Sequence, residues 1–279
     1  MTDFDRRTVL GVIAGATLIS TPASLTFAAN GRKTTMTTNP QRALIVLTSV
    51  AEFPASTGAL AGRPTGFYMD EMATPYWALR DAGVGVDFAS IQGGKPPADP
   101  SSIGEEGQRK PAVQRFLDDT DSVAKLNTSM PIAAATAADY DLIFLPGGHG
   151  TMWDFAQSGD LARIVGAMFD AGAIVGAICH GPAGLVTATT ADGRPIVEGR
   201  RVNAFTDAEE RAVELDGVVP FLLESTLRAQ GALFEATDNF QSHAVRDGNL
   251  VTGQNPSSVG AVAQLLVEAL ADTRREEAA

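Results

Sequence analysis

Residues 173–185 read AIVGAICHGPAGL, a run of small and β-branched apolar residues that stops at Cys179-His180-Gly181-Pro182. An apolar run of strand length with no polar face is the pattern of a strand buried on both sides. The sequence thus predicts a strand, a turn at Cys179 and a helix after it. Gly181 and Pro182 bring little side chain into the first helical turn and leave space above the sulfur. The same strand-to-glycine pattern occurs at DLIFLPGGHG, residues 141–150.

Working outward, RALIVLTSV (42–50) reads as a buried strand, Gly66 to Ala82 as a helix closed by Gly83, and VGVDFAS (84–90) as a second strand. Residues 91–139 are turn-rich, with one helical stretch at VQRFLDDTDSVAKL (113–126), and suggest a small insertion over one end of a sheet. After the strand at 141–145 come a helix at DLARIVGAMFDAG (160–172), the strand ending at Cys179, and a strand at RRVNAFT (200–206). Helices over Asp207 to Gln230, a strand LFEAT (233–237), a hairpin around Asp247-Gly248 and a helix from Pro256 to about Asp272 complete the pattern. Strands alternating with helices predict an α/β fold, a three-layer sandwich whose mainly parallel sheet binds ligands beyond the carboxyl ends of its strands. Cys179 and Gly147-Gly148-His149-Gly150 fall at such ends.

The chain has 33 Asp plus Glu against 21 Lys plus Arg, a net charge of −12, which repels phosphate backbones and excludes nucleic acid as an expected partner. One cysteine in 279 residues excludes an intramolecular disulfide and CxxC metal spacing. Residues 1–29 carry Arg6-Arg7, a moderately apolar stretch from Val9 to Ala23, and small residues Thr26 and Ala28 suited to cleavage. They resemble a twin-arginine export signal, with Leu10 matching and Asp5 and Val9 departing from the usual residues. The stretch is short for a spanning helix and is broken by Gly and Pro22. The expectation is an exported, periplasmic protein with no stable membrane insertion after cleavage. Its organisation would be a signal at 1–29, a linker at 30–41, one domain at 42–272 and a charged tail at 273–279.

A cysteine between a strand and a helix lies near free backbone N–H groups, which favour thiolate, in the geometry of a nucleophile elbow. Strand ends also bury cysteine as a small hydrophobe. His180 is its neighbour, and on an extended chain adjacent side chains point to opposite sides, so direct proton transfer needs a sharp turn. A histidine oriented by a carboxylate elsewhere is the easier role. His149 reads as a residue that shapes its loop, Trp153 as packing under it, and His243 as structural. Phe67, Tyr76 and Trp77 read either as the mouth of the site or as core.

GAICHGPAGL, LPGGHGTMWDF, TGFYMDEMATPYWAL, GRPIVEGRRVNAFTDAEE and DGNLVTGQNPSS occur in the order found in one family. Together they resemble the ThiJ/PfpI superfamily of the class I glutamine amidotransferase-like, flavodoxin-like fold. Within it the likeness is to the glutathione-independent glyoxalase III branch, which includes heat-shock chaperones, and it spans about Arg42 to Leu270. The resemblance implies Cys179 as nucleophile, His180 as its histidine, and Glu71 as the carboxyl touching the sulfur. It places the acid that orients His180 in FTDAEE, best at Glu210, with Asp207 and Glu209 as competitors. Relatives often carry a histidine shortly after the equivalent of Glu71, where this chain has Thr74, which bears on substrate preference. Metal sites of some relatives cannot be mapped onto a chain whose histidines are His149, His180 and His243.

The implied reaction converts methylglyoxal or a related dicarbonyl to a 2-hydroxy acid through a Cys179 hemithioacetal and thioester, with no metal, cofactor or glutathione. A carboxylate beside a thiolate raises both pKa values, so Glu71 would be protonated and able to shuttle a proton. Backbone N–H groups of Gly148 and His180 are the candidate oxyanion donors. The family also implies a homodimer. A holding chaperone, a Cys-His-Glu hydrolase or peptidase, and a thiol redox sensor are the competing functions.

Overall fold

The computed structural model describes residues 40–277; the expected signal and nearly all of the linker lie outside these residues. The strands are β1 (Arg42–Leu47), β2 (Gly85–Ser90), β3 (Met130–Pro131), β4 (Leu142–Leu145), β5 (Ile174–Ile178), β6 (Arg201–Val202), β7 (Leu233–Phe234), β8 (Ala244–Asp247) and β9 (Leu250–Gly253). Seven of them form one sheet in the order β3-β2-β1-β4-β5-β9-β8. All its pairs are parallel except the β8–β9 hairpin. The helices are α1 (Met69–Asp81), α2 (Pro100–Ile103), α3 (Pro111–Asp118), α4 (Thr120–Asn127), α5 (Thr151–Asp154), α6 (Gly159–Asp170), α7 (Asp207–Ala212), α8 (Leu223–Ala229) and α9 (Val259–Glu277).

The apolar runs fold as strands because both faces are covered. Side chains of β1 alternate: Leu44 and Val46 join Ile164, Val165 and Met168 of α6 on one face. Ala43, Ile45 and Leu47 join Met72, Tyr76 and Leu79 of α1, with Val262 and Leu266 of α9, on the other. This is the doubly covered parallel sheet that the alternation of elements predicts, and it sets the carboxyl ends of β4 and β5 side by side.

Several elements differ from expectation. The helix expected over 113–126 is two helices, because Asp119 leaves helical geometry (φ −90°, ψ 98°) and caps α4 by accepting from the Ser122 N–H. The turn after Cys179 runs into a 3-10 helix, Gly181–Leu185, rather than an α-helix; two glycines and a proline in five residues disfavour longer propagation. The strands expected at 200–206 and 233–237 shrink to β6 and β7, which pair only with each other. Beyond Val202 the backbone donors go elsewhere: Asn203 N–H to the Thr252 hydroxyl and Phe205 N–H to the Cys179 carbonyl, so the chain crosses the sheet end toward the site. The segment expected as an insertion reaches that end with Asp99 and Ser101, and it also supplies the edge strand β3. Helix α9 runs to Glu277, past the expected stop near Asp272; Asp272 pairs with Arg246 and Arg275, and Arg274 and Arg275 suit the negative end of the helix.

Candidate active site

Cys179 directly follows β5 in the left-handed backbone region, with φ 58°. Its N–H donates to the Gly253 carbonyl (2.9 Å) and its carbonyl accepts from the Phe205 N–H (2.8 Å), so β9 and the segment after β6 hold the turn from both sides. Gly181 lets the chain fold back on β4, since a Cβ there would lie 1.9 Å from the Leu145 oxygen. Gly148, at φ 104°, likewise approaches the Gly66 carbonyl too closely for any side chain. The two glycine turns are joined by the Thr151 hydroxyl, placed 2.9 Å from the Gly148 oxygen and 3.2 Å from the His180 oxygen.

This sharp turn brings the neighbours together. The Cys179 Sγ lies 3.3 Å from His180 Nδ1, so the expectation that adjacency keeps the pair apart is corrected by the left-handed residue. His180 Nε2 meets Glu210 Oε2 at 2.8 Å. Of the three acids in FTDAEE, Glu210 is therefore the partner of His180. Thr206 and Glu209 form a reciprocal capping box that starts α7, and Asp207 accepts from the Ser225 N–H. Glu71, in the first turn of α1, is completely buried. Its Oε2 accepts from the Gly147 N–H (2.9 Å), while Oε1 has no hydrogen-bond partner.

The two carboxyls are driven apart. Burial pushes Glu71 up to about 8, outweighing the bond from Gly147. Burial would also raise Glu210, but the charge and hydrogen bonds of His180 and His149 hold it down to about 2. Burial, then the nearby His149, lowers His180, against the pull of Glu210. The Cys179 thiol is pushed well above its ordinary value by burial and by Glu71, against a favourable His180 N–H, so the expected preference for thiolate is reversed. An ionised Glu210 accepts a hydrogen bond from the His180 Nε2–H, which leaves Nδ1 bare and facing the thiol. Glu71 is protonated over the same pH range, with its unpartnered oxygen buried.

Sequence reasoning missed His149. Its Nε2 lies 2.9 Å from Glu210 Oε1, and its ring centroid lies 4.1 Å from that of His180, so one carboxylate joins two imidazoles. The signal was present, because GGHG and CHG end adjacent strands of one parallel sheet. His149, His180 and Glu210 also offer ligand atoms within 4.8 Å of one another, the one such group among the described residues. Both nitrogen–oxygen contacts are of hydrogen-bond length, and His180 uses its other nitrogen toward sulfur. His243 lies 3.4 Å from Glu235, Trp153 packs edge-on against Phe53, and Phe67 and Tyr76 are core. Trp77 lies under the Arg115 guanidinium. Thr74 bonds to Asp70, which pairs with Lys110.

Above the sulfur is a cavity of about 210 Å³ whose lining includes Tyr68, Gly148, His149, His180, Phe205 and Phe240. Cys179, His180 and Gly148 thus border one space, while Glu71 and Glu210 are buried behind its lining, Glu210 against His180 and Glu71 against the Gly147 N–H.

The chain is similar to known proteins in sequence and fold. A glutathione-independent glyoxalase of Saccharomyces cerevisiae is 32% identical over 243 residues, 83% of this chain and 98% of that protein. The crystal structure of glyoxalase III from Candida albicans is 26% identical, with a TM-score of 0.73 over 82% of this chain and 97% of the other. The rapid encystment protein of Francisella tularensis is 31% identical, with a TM-score of 0.77 over 82% and 99%. Residues 65–269 match the model of the DJ-1/PfpI family, a span that holds Glu71, the glycine loop, the Cys179 turn and Glu210. On this match over most of its length, the chain belongs to the DJ-1/PfpI family.

Proposed function

We propose that this protein is a glyoxalase III-type enzyme that converts a 2-oxoaldehyde to a 2-hydroxy acid without glutathione. The observation that carries this reading is a buried thiol 3.3 Å from an imidazole nitrogen, with the fully buried Glu71 carboxyl near enough to raise the thiol pKa. Its further support is the similarity to named glyoxalases.

The proton ledger closes on these residues. The Cys179 proton passes to His180 Nδ1 as sulfur attacks the aldehyde carbon, and the new alkoxide takes the Glu71 proton. Glu71, now a carboxylate, removes the hydrogen from that carbon while His180 protonates the adjacent carbonyl oxygen, giving an enediol. Glu71 returns its proton to the second carbon and His180 takes one from the first hydroxyl, leaving a thioester. Water then adds, losing a proton to Glu71, and sulfur departs with the proton held by His180. Glu210 stabilises the imidazolium at each stage, and N–H groups of Gly148 and His180 serve the oxyanions. Export is part of this reading, supported by Arg6-Arg7 and the apolar stretch after it, and so is a homodimer, supported by family resemblance.

The test is lactate formation from methylglyoxal by purified protein without glutathione. C179A is expected to abolish it, and E71Q to reduce it at least about a hundredfold, the scale of general acid-base catalysis. No turnover in wild type, or full turnover in C179A, overturns the proposal. A cysteine hydrolase is the second reading, favoured by the unbroken Cys179–His180–Glu210 chain; it tolerates E71Q and hydrolyses esters or peptides instead.

A further inference from the structure

Three non-glycine residues among those described have a left-handed backbone: Cys179, Glu214 and Phe240, the latter two at φ 61°. Bulky residues keep such conformations only where their surroundings impose them, and strain of this kind gathers at working sites. All three belong to one place. Cys179 and Phe240 line the cavity above the sulfur, and Glu214 directly follows Val213, which lines it too.

Exposure points to the same spot. Among the described residues the large apolar side chains left in solvent are Val213 (39%), Leu233 and Phe240 (44%). Two of those three stand on the rim of the cavity.

The rim is built rather than loose. The Phe240 N–H donates to Glu209 Oε1 at 2.7 Å, and that buried oxygen also takes Asn255 Nδ2 (2.7 Å) and Gln254 Nε2 (3.1 Å). Asn239 Nδ2 donates to the Ala208 carbonyl, tying the same loop to α7. Val213 and Glu214 are fixed by N–H bonds to the carbonyls of Glu209 and Arg211. Phe205 bridges rim and floor, with its ring centroid 4.5 Å from His180 and 6.2 Å from Phe240. An apolar wall therefore runs from the imidazole beside the nucleophile out to a phenylalanine held in solvent. Methylglyoxal bound to Cys179 presents only a methyl group to that wall and leaves Phe240 and Val213 wet.

We propose that Val213 and Phe240 form a clamp for the substituent of the substrate, so that the enzyme prefers 2-oxoaldehydes bearing an apolar ring or branched chain over methylglyoxal. This rests on the glyoxalase reading above. The occupant is fixed by continuity, since one cavity holds both the sulfur and the rim.

The experiment compares kcat/KM for phenylglyoxal and methylglyoxal in wild type, F240A, F240L and F240G. Removing apolar contact from a specificity pocket costs about tenfold or more, so wild type should favour phenylglyoxal and F240A should lower the ratio by about tenfold. F240L should retain most of the preference. F240G should lose it as F240A does while melting no lower, because glycine relieves the left-handed backbone; this separates the ring from its structural setting. A wild-type ratio at or below unity, or a ratio unchanged in F240A, overturns the clamp. Turnover of neither aldehyde defeats the glyoxalase reading instead, and the clamp is then judged by protection of Cys179 from iodoacetamide. Mandelate protecting wild type, but not F240A, at lower concentration than lactate upholds it; equal protection by the two acids overturns it.

Discussion

The left-handed φ of Cys179 has a thermodynamic signature. A side chain in that region costs about 1–2 kcal/mol and glycine escapes the cost. C179G should therefore unfold at higher denaturant concentration than C179A, by about 1 kcal/mol, although both lack the sulfur and glycine loosens most positions. Equal midpoints contradict the strain. A second expectation concerns His149, whose proximity lowers the His180 pKa. In H149N the His180 ring should titrate at higher pH, read by NMR of its ring signals; an unmoved or lowered titration argues against charge coupling between the two rings. Cys179 and His180 at a strand end were legible from the residues themselves, whereas Glu71 and Glu210 were marked only by the family resemblance, which left Asp207 and Glu209 as competitors. Their mutual distances were not: the Cys-His contact depends on a single dihedral angle, and His149 reaches the site only because β4 and β5 are neighbours.

Among the elements, α7 matters beyond its six residues because its first turn carries Glu210. The Thr206 side chain caps it by accepting from Glu209 N–H at 3.0 Å. T206A should cost about 1 kcal/mol of stability, the usual worth of an N-cap, and should lower kcat more than it raises KM because Glu210 orients the base rather than the substrate. An unchanged kcat, with stability lost, separates capping from catalysis. The strand β1 was readable as an unbroken apolar run buried on both faces, and α1 and α6 as helices closed by Gly83 and Gly172. The short ones were not. β6 loses its expected length to the Thr252 hydroxyl and the Cys179 carbonyl, the chain after β7 gives the Thr237 N–H to Gln254 Oε1, and the break at Asp119 depends on whether an aspartate caps or continues a helix.

For the whole molecule, the site sets opposing slopes of stability with pH. Glu71, with its ordinary value of 4.5 raised to about 8, favours the folded protein fully below 4.5, and that contribution is lost as pH rises through about 8. Glu210, held down to about 2, contributes fully above 4.5 and loses this as pH falls toward about 2. E71Q keeps an acceptor for Gly147 and removes the first slope. Between about pH 5 and about pH 8 its unfolding free energy, read from denaturant titrations, should fall less than that of wild type, by on the order of a few kcal/mol at the upper end. Parallel curves contradict a neutral Glu71 in the fold. The order of the strands has a temporal side as well. Synthesis delivers β5 long before β9, yet β9 flanks it and supplies the Gly253 carbonyl that fixes the Cys179 turn. A nascent chain that ends anywhere before residue 253 carries Cys179 without the Gly253 contact that holds its turn. The turn is thereby completed only when the last strand has been made, so the long-range pairing of β5 with β9 sets the backbone of Cys179 late in folding.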